Sequence, residues 1–377
     1  MKKILVWETL GIVSGGQKMT LAVMDMLADN YDFCCLIPTE GALSEELKKR
    51  NIKYVLLGDQ TMPTGQKKKS VIFRYLFLSI KAIILGLRVV RKEKPDIIYA
   101  PGPAALPWSA IVGMLKNKPV IWHLHHVFLD GATKKLLNLC SSLKSVKRIV
   151  AVSECVGAQI YTTQGKPKIA VIYNPVDYEK YSAGKKGELL RELGITSDDK
   201  IVLGQIALLQ SSKKQNMLLD IAAKLKMQGK EVVVIFVGRS RDEDAEYVKQ
   251  LNETVERLDL KNRTHFLGQR DDIQNILADL NMILIPSAFE GFPLVGLEAA
   301  AAGVPVLACN IAGAEEFIRV SHAGICFEND DVESAVSAVE FLTDPKNIEE
   351  CVRNGKLFAK LCSFDNYRCL IGDVFKI

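Results

Sequence analysis

Short apolar runs alternating with amphipathic helical stretches along the whole chain predict an α/β fold, with parallel sheets covered by helices on both faces. Two further observations divide it in two: the alternation breaks at a polar stretch and then restarts, and charge is shared unequally between the halves. KILVW, DFCCLI, IKYVLL, DIIYA, PVIW and RIVAV read as buried strands, while QKMTLAVMDMLADN and the stretch 70–94 read as helices. After KIAVIYNPVDYEKYSAGKKGELLRELG the rhythm resumes with IVLGQIA, EVVVIFVG, RTHFLG, MILIPS and PVLA. A boundary near residue 178 follows, giving two doubly wound domains, 1–178 and 179–362, facing a central cleft. In open α/β sheets ligands bind outside the carboxyl ends of the strands, so chemistry is sought there in both halves.

Composition bounds the setting. The 377 residues are 48% hydrophobic and 25% charged, enough apolar material for two cores. The apolar run before Glu8 is too short for a secretory leader, so a cytoplasmic protein is expected. The most membrane-like stretch, VIFRYLFLSIKAIILGLRVV (71–90), carries Arg74, Lys81 and Arg88 at intervals of seven, near one stripe of a helix. It reads as an amphipathic helix packed on a sheet, with a membrane-surface helix as the alternative, rather than as a span. Nine cysteines without a CxxC pair indicate reduced, mostly buried thiols.

The net charge of +5 hides an asymmetry: residues 1–175 hold 25 Lys+Arg against 12 Asp+Glu, or +13, and the remainder hold 24 against 32, or −8. A basic half suits an anionic partner, and no recognition-helix, RNA-platform or finger pattern points to nucleic acid. Lys67, Lys68 and Lys69 are candidate contacts to an anionic acceptor or membrane face; a solvated lysine run is the plainer reading.

Two strand ends carry candidate chemistry. WHLHH (122–126) holds three of the five histidines, and alternation along a strand puts His123 and His125 on one face and His126 on the other. HxH spacing suits zinc, but no third ligand is evident, since His265 and His322 fall in the other half. A polar strand end and a functional imidazole facing the cleft remain, the latter preferred. In PSAFEGFPLVGLEAAAAGVPVLA (286–308) a strand ends, a loop carries Glu290 and Gly291, and Pro293 precedes a helix. The free NH groups of Leu294 and Val295 suit an anion such as a pyrophosphate, and Glu290 and Glu298 suit sugar and ribose hydroxyls, although a lone Glu on an Ala-rich helix is ordinarily a solvated face. Near the start, SGGQK joins the first strand to its helix, where Gly15 and Gly16 permit close backbone approach to a ligand or simply a tight turn.

EGFPLVGLE resembles the Glu, seven residues, Glu signature of retaining glycosyltransferases of family 4. The surrounding PS, GFP, EA, G and PV elements agree, as do NPVD (174–177), HFLGQRDDI (265–273) and AVSE (151–154), in order along nearly the whole chain. The resemblance implies the GT-B fold, two Rossmann-like domains with the acceptor side in the first and the nucleotide sugar in the second, and a C-terminal helix (363–377) crossing back to the first. It implies retaining transfer with no required metal or other cofactor. His125 would lie beside the donor sugar, Glu290 would hold sugar hydroxyls and Glu298 ribose, and Leu294 and Val295 would bind phosphate beside Gly291 and Phe292. Phe266, Leu267 and Gly268 would form the nucleobase side.

In the family pattern "GQIAR … KGQ" an Arg and a Lys neutralise the diphosphate. Here GQIALLQSSKKQ puts Lys213 on the lysine but Leu208 on the arginine, with Lys214, Arg239 or Arg241 as replacements. The expected activity is hexosyl transfer from a UDP-sugar, in preference to a GDP-sugar, to a polysaccharide or glycolipid precursor, with peripheral contact between the basic domain and an anionic membrane. The alternatives are an epimerase or phosphorylase of the same fold, and a noncatalytic partner subunit, for which Leu208 is the positive sign.

Overall fold

A computed structural model of the chain describes residues 1–58, 69–161, 169–195 and 200–377, without the side chains of 69–75. Lys67 and Lys68, and the side chains of Lys69 and Arg74, lie outside the described residues. The chain divides into two compact units, Met1–Asn174 with Tyr367–Ile377, and Pro175–Asn366.

The first unit is built on a parallel sheet. Its strands are β1 (Lys2–Trp7), β2 (Tyr31–Ile37), β3 (Lys53–Leu56), β4 (Ile97–Ala100), β5 (Val120–Leu124), β6 (Val146–Ala151) and β7 (Ile169–Val171), in the spatial order β3-β2-β1-β4-β5-β6-β7. The second unit holds β8 (Ile201–Ile206), β9 (Val232–Val237), β10 (Thr264–Phe266), β11 (Met282–Ile285), β12 (Val306–Cys309) and β13 (Gly324–Phe327), in the order β10-β9-β8-β11-β12-β13, again parallel. Central strands are buried along their length, as in IIYA of β4 and VVVIFV of β9, because helices cover both faces. β7 and β13 were not among the strands expected from the sequence. Both are short edge strands with a single neighbour, β6 and β12 respectively, so neither needs a long apolar run.

In the first unit the crossovers are made by α1 (Gly15–Leu27), α2 (Ala42–Lys49), α3 (Lys69–Glu93), α4 (Ala105–Lys116) and α5 (Gly131–Ser141). The chain steps outward from β1 to β3 and then returns past β1 to β4. Right-handed crossovers therefore put α1 and α2 on one face and α3, α4 and α5 on the other. The stretch 71–90 lies within α3. Leu78, Ala82, Val89 and Val90 are buried there, while Lys81 and Arg88 are exposed. No helix among the described residues is long and apolar enough to cross a membrane. The last helix, Phe364–Phe375, buries Tyr367, Ile371, Val374 and Phe375, and Phe375 meets the Tyr99 ring edge-on at 5.2 Å. All nine cysteines are free.

Both sheets reverse strand order at one point, between β1 and β4 and between β8 and β11. In open α/β sheets such a reversal, at the carboxyl ends of the strands, is where ligands bind.

Candidate active site

In the second unit the loops after β8 and β11 meet. Gln205, buried on β8, donates from Nε2 to the Lys213 carbonyl at 2.6 Å, and Ala288 N donates to Ser212 O at 2.9 Å. These bonds bring Lys213 and Glu290, 77 residues apart, into an ion pair with Nζ 2.6 Å from Oε1. Their side chains are 24% and 16% exposed, so the pair is partly shielded from water yet reachable. The helix Leu294–Ala302 begins four residues after Glu290, with Pro293 at its N-cap. The amides of Leu294 and Val295 donate to no group among the described residues, as the first turn of a helix leaves them. Glu298, one turn further in, accepts from the Tyr181 hydroxyl at 2.8 Å. Burial, and then the Glu298 charge, push the Tyr181 pKa up, so the phenol stays a donor.

Gly313 explains how the Glu290 loop is held. A Cβ there would strike the carbonyl oxygens of Glu290 and Gly291, so the helix Ala312–Ser321 packs directly on this backbone only because residue 313 has no side chain. Phe292 is buried against Phe317 at 5.5 Å and anchors the same loop from below.

The remaining candidates are placed unequally. Lys214, in left-handed backbone, pairs through Nζ with Asp330 Oδ1 at 2.6 Å and Asn329 Oδ1 at 2.9 Å, so its charge is already engaged. Arg241 is held by Asp244 at 2.9 Å, Glu243 at 2.6 Å and Gln210 at 2.7 Å. Arg239 is exposed and has no side-chain partner among the described residues, and its carbonyl accepts from Leu209 N at 3.0 Å, directly beside Leu208. Phe266, partly buried, stacks on Phe236 at 5.0 Å and packs against the core. Leu267 and Gly268 are fixed by Leu267 N donating to Phe236 O (2.9 Å) and Gly238 N donating to Gly268 O (2.8 Å).

In the first unit WHLHH occupies the end of β5. His123 is fully buried and shares a 2.6 Å hydrogen bond between Nδ1 and the Tyr99 hydroxyl, while His125, half-buried just past the strand, lies over it with ring centroids 4.0 Å apart. The Nε2 atoms of both rings are buried without a partner among the described residues. Burial lowers the His123 pKa to about 3, and holds His125 well below the usual range with help from its two histidine neighbours. Both are therefore neutral at pH 7, and a neutral imidazole offers one donor and one acceptor, which suits a hydroxyl rather than a phosphate. His126 is exposed, 6.4 Å from His125 between centroids. Among the described residues no group of three His, Cys, Asp or Glu side chains is gathered as a metal site requires.

At the strand-order reversal of this unit the sequence reading passed over Glu8. It follows β1 at 2% exposure, and accepts from Thr20 Oγ1 at 2.6 Å, Gln17 Nε2 at 3.2 Å and its neighbour Thr9 N at 3.3 Å. Burial raises its pKa. Thr20 and Gln17 both come from α1, so Glu8 ties the β1 end to the turn that carries Gly15 and Gly16. Nothing lies within 4 Å of a side chain built at Gly16, so that turn is open. A charged residue directly after a buried strand was the available signal. Tyr181 was also missed, because a tyrosine in a polar stretch carries no mark of a partner 117 residues away.

Two family models match the chain: glycosyl transferases group 1 over residues 186–358 and glycosyltransferase family 4 over residues 30–180. Among characterised relatives, the UDP-Gal:alpha-D-GlcNAc-diphosphoundecaprenol alpha-1,3-galactosyltransferase of Escherichia coli is 26% identical over 375 residues, covering 93% of this chain and 90% of the relative. The capsular polysaccharide biosynthesis glycosyltransferase CapM of Staphylococcus aureus is 22% identical over 300 residues, 74% of this chain and 76% of the relative. Anabaena HepE, solved in complex with UDP, superposes with a TM-score of 0.81 at 22% identity over 99% of each chain. A glycosyltransferase from Rickettsia africae gives 0.80 at 21% identity, over 100% of this chain and 98% of that one. At these identities the likeness establishes the fold, the two-domain α/β arrangement called GT-B.

Proposed function

The chain belongs to the group 1 glycosyltransferases, family 4, and on that basis we propose that it transfers a hexosyl group from a UDP-sugar to a hydroxyl of a polysaccharide or lipid-linked glycan precursor, with retention of configuration and no required metal. The observation that carries this reading is the Lys213–Glu290 pair beside the unpaired amides of Leu294 and Val295. A leaving diphosphate gains negative charge as the glycosidic bond breaks, and a fixed ammonium and helix-terminal NH groups stabilise that charge without reorganising. Glu290, accepting only, holds sugar hydroxyls, and its pairing with Lys213 sets the distance between sugar and diphosphate. Glu298, oriented by Tyr181, takes the ribose hydroxyls. The acceptor hydroxyl attacks from the face the diphosphate leaves, and neutral His125 takes part as a sugar-hydroxyl contact.

Arg239 supplies the second cation in place of the residue that Leu208 replaces. It is exposed, without a partner among the described residues, and joined to the Leu208–Leu209 segment through its own backbone. Lys214 and Arg241 are paired with carboxylates, as Lys213 is with Glu290, which leaves Arg239 as the candidate cation with no partner among the described residues. The relatives support the donor and acceptor classes: one is named for UDP-Gal and a diphosphoundecaprenol acceptor, another for capsular polysaccharide, and a solved neighbour holds UDP.

The test is a thermal-shift panel of UDP, GDP, ADP and their hexose conjugates. A ligand that binds only the folded state raises stability by RT ln(1 + [L]/Kd). UDP and one UDP-hexose are expected to raise the melting temperature, and that sugar should appear in a glycoside of retained anomeric configuration by NMR. No shift with any nucleotide refutes the reading, and an inverted product refutes its stereochemistry.

A further inference from the structure

We propose that Tyr99 and His123 are positioning residues for His125: Tyr99 locks the buried His123 ring, and that ring supports the His125 imidazole in the orientation in which it meets a sugar hydroxyl. The inference deepens the reaction proposed above and rests on its assignment of His125 to the donor sugar.

Strand register brings these side chains together. Tyr99 of β4 pairs with Ile121 of β5, so Tyr99 and His123 share one face of the sheet. Val6 of β1 pairs with Tyr99, which puts Glu8, just past β1, on that face as well. Phe375 of the C-terminal helix covers Tyr99. His123 is fully buried there, where an apolar side chain of its size would avoid withdrawing two ring nitrogens from water. Its Nδ1 lies 2.6 Å from the Tyr99 hydroxyl, while its Nε2 has no partner among the described residues. Counting protons fixes the tautomer. If Tyr99 donates to Nδ1, one group is orphaned, the Nε2–H. If Nδ1–H donates to Tyr99 instead, the phenol proton and the Nε2 lone pair are both left without partners among the described residues. Burial holds the phenol protonated and the imidazole neutral, the forms that the first arrangement needs. A buried N–H left unsatisfied is rare in a core and calls for a use beyond filling space.

That use lies over the ring. The His125 imidazole covers it with centroids 4.0 Å apart and planes tilted by 37°. His125 stands one residue beyond the β5 ladder, whose last pair is Leu124 with Ala151. Gln159 holds the backbone that follows, donating to His126 O at 3.0 Å and accepting from Phe128 N at 2.6 Å. What remains to be set is the His125 ring, and a His123 ring held by Tyr99 sets it. The same stacking adds to the burial that keeps His125 neutral. The titratable groups acting on His125 are His123 and His126, and those acting on Tyr99 are Tyr367 and Glu8.

The experiment combines long-range nitrogen–proton NMR correlation of the histidine rings in the full chain with steady-state UDP release from the UDP-hexose that binds in the thermal-shift panel. His123 should show a protonated Nε2 and an unprotonated Nδ1. Tyr99→Phe keeps the ring and removes the hydroxyl; it should mix the His123 tautomers, move the His125 ring resonances and raise the donor KM about fivefold, with kcat changed about twofold at most. His123→Leu should raise the donor KM about tenfold and move the acid limb of kcat/KM to higher pH, as water reaches the uncovered face of His125. Tyr367→Phe, which removes a nearby buried hydroxyl without a partner among the described residues, should leave all three readouts native. A protonated Nδ1 on His123 in the native chain overturns the proposal, as do His125 resonances unmoved by Tyr99→Phe. Native donor KM and acid limb in Tyr99→Phe and His123→Leu also overturn it, whatever their melting temperatures, because a purely structural role moves stability alone. If His125→Ala turns over normally, it is the sugar contact that fails, while the tautomer and the His125 resonances, read without substrate, still decide the positioning.

Discussion

Replacing Lys213 by alanine separates its structural role from the proposed catalytic one. Its Nζ lies 2.6 Å from Glu290 Oε1. At an effective dielectric constant of about 20, the attraction across that distance is about 6 kcal/mol before any cost is counted. Withdrawing two partly exposed charged groups from water and fixing two long side chains offset most of it, leaving about 1 kcal/mol of folding stability. That corresponds to a fall in melting temperature of about 3 °C for a domain of this size. The expected kinetic loss is larger, because a charge opposite a developing diphosphate contributes about 2–4 kcal/mol, or roughly 30- to 1,000-fold in kcat. The assay is UDP release at saturating donor, paired with a thermal melt on the same preparation. A kcat within tenfold of the native value, with the small melting shift present, would mean that Lys213 only holds the Glu290 loop, and the assigned diphosphate contact would be wrong.

Three further outcomes are expected. Because the folded pKa values of His123 and His125 are depressed, the unfolded chain binds their protons first, near pH 6.5. Their stabilising contribution is present above that pH and is lost as pH falls toward the folded values. Between pH 7 and 5.5 the loss should be about 2–3 kcal/mol in denaturant melts. Glu8, raised by burial, works in the opposite sense, losing stability as pH rises from 4.5 toward its folded pKa. A His123→Phe variant should roughly halve the acid slope, and an unchanged slope would dismiss His123 as its source. Tyr181→Phe removes the 2.8 Å bond that orients Glu298, and should raise the donor KM about fivefold or more with a smaller effect on kcat; an unaltered KM would detach Glu298 from the donor. Gly313→Ala forces the helix away from the Glu290–Gly291 carbonyls, and should cost about 1–3 kcal/mol of stability and depress activity beyond what unfolding explains, with native turnover showing that the loop position is not critical.

The alternation of apolar runs and amphipathic helices was enough to announce a doubly wound α/β chain, because a strand buried on both faces must be apolar throughout and its crossover helix must not be. β9 and β11 are legible for that reason, while β7 and β13, at sheet edges, needed too few apolar residues to stand out. Motif order supplied the family, and with it Glu290 and Lys213 as separate candidates. Their contact, and that of Lys214 with Asp330, are pairings across 77 and 116 residues that no local pattern encodes. Glu8 and Tyr181 escaped notice for the same reason: the meaning of each lies in its partners, Thr20 and Gln17 for one and Glu298 for the other.

Local sequence determined which segments become strands and helices, since period and burial act over a few residues, and it determined that the first half is basic. Tertiary structure alone decided which loops converge where the strand order reverses, and which cations are paired with carboxylates. It also decided that the His123 ring, bonded to Tyr99, lies under His125. Those outcomes depend on crossover handedness and on distances between residues far apart in the chain, and become definite only once the sheets have formed.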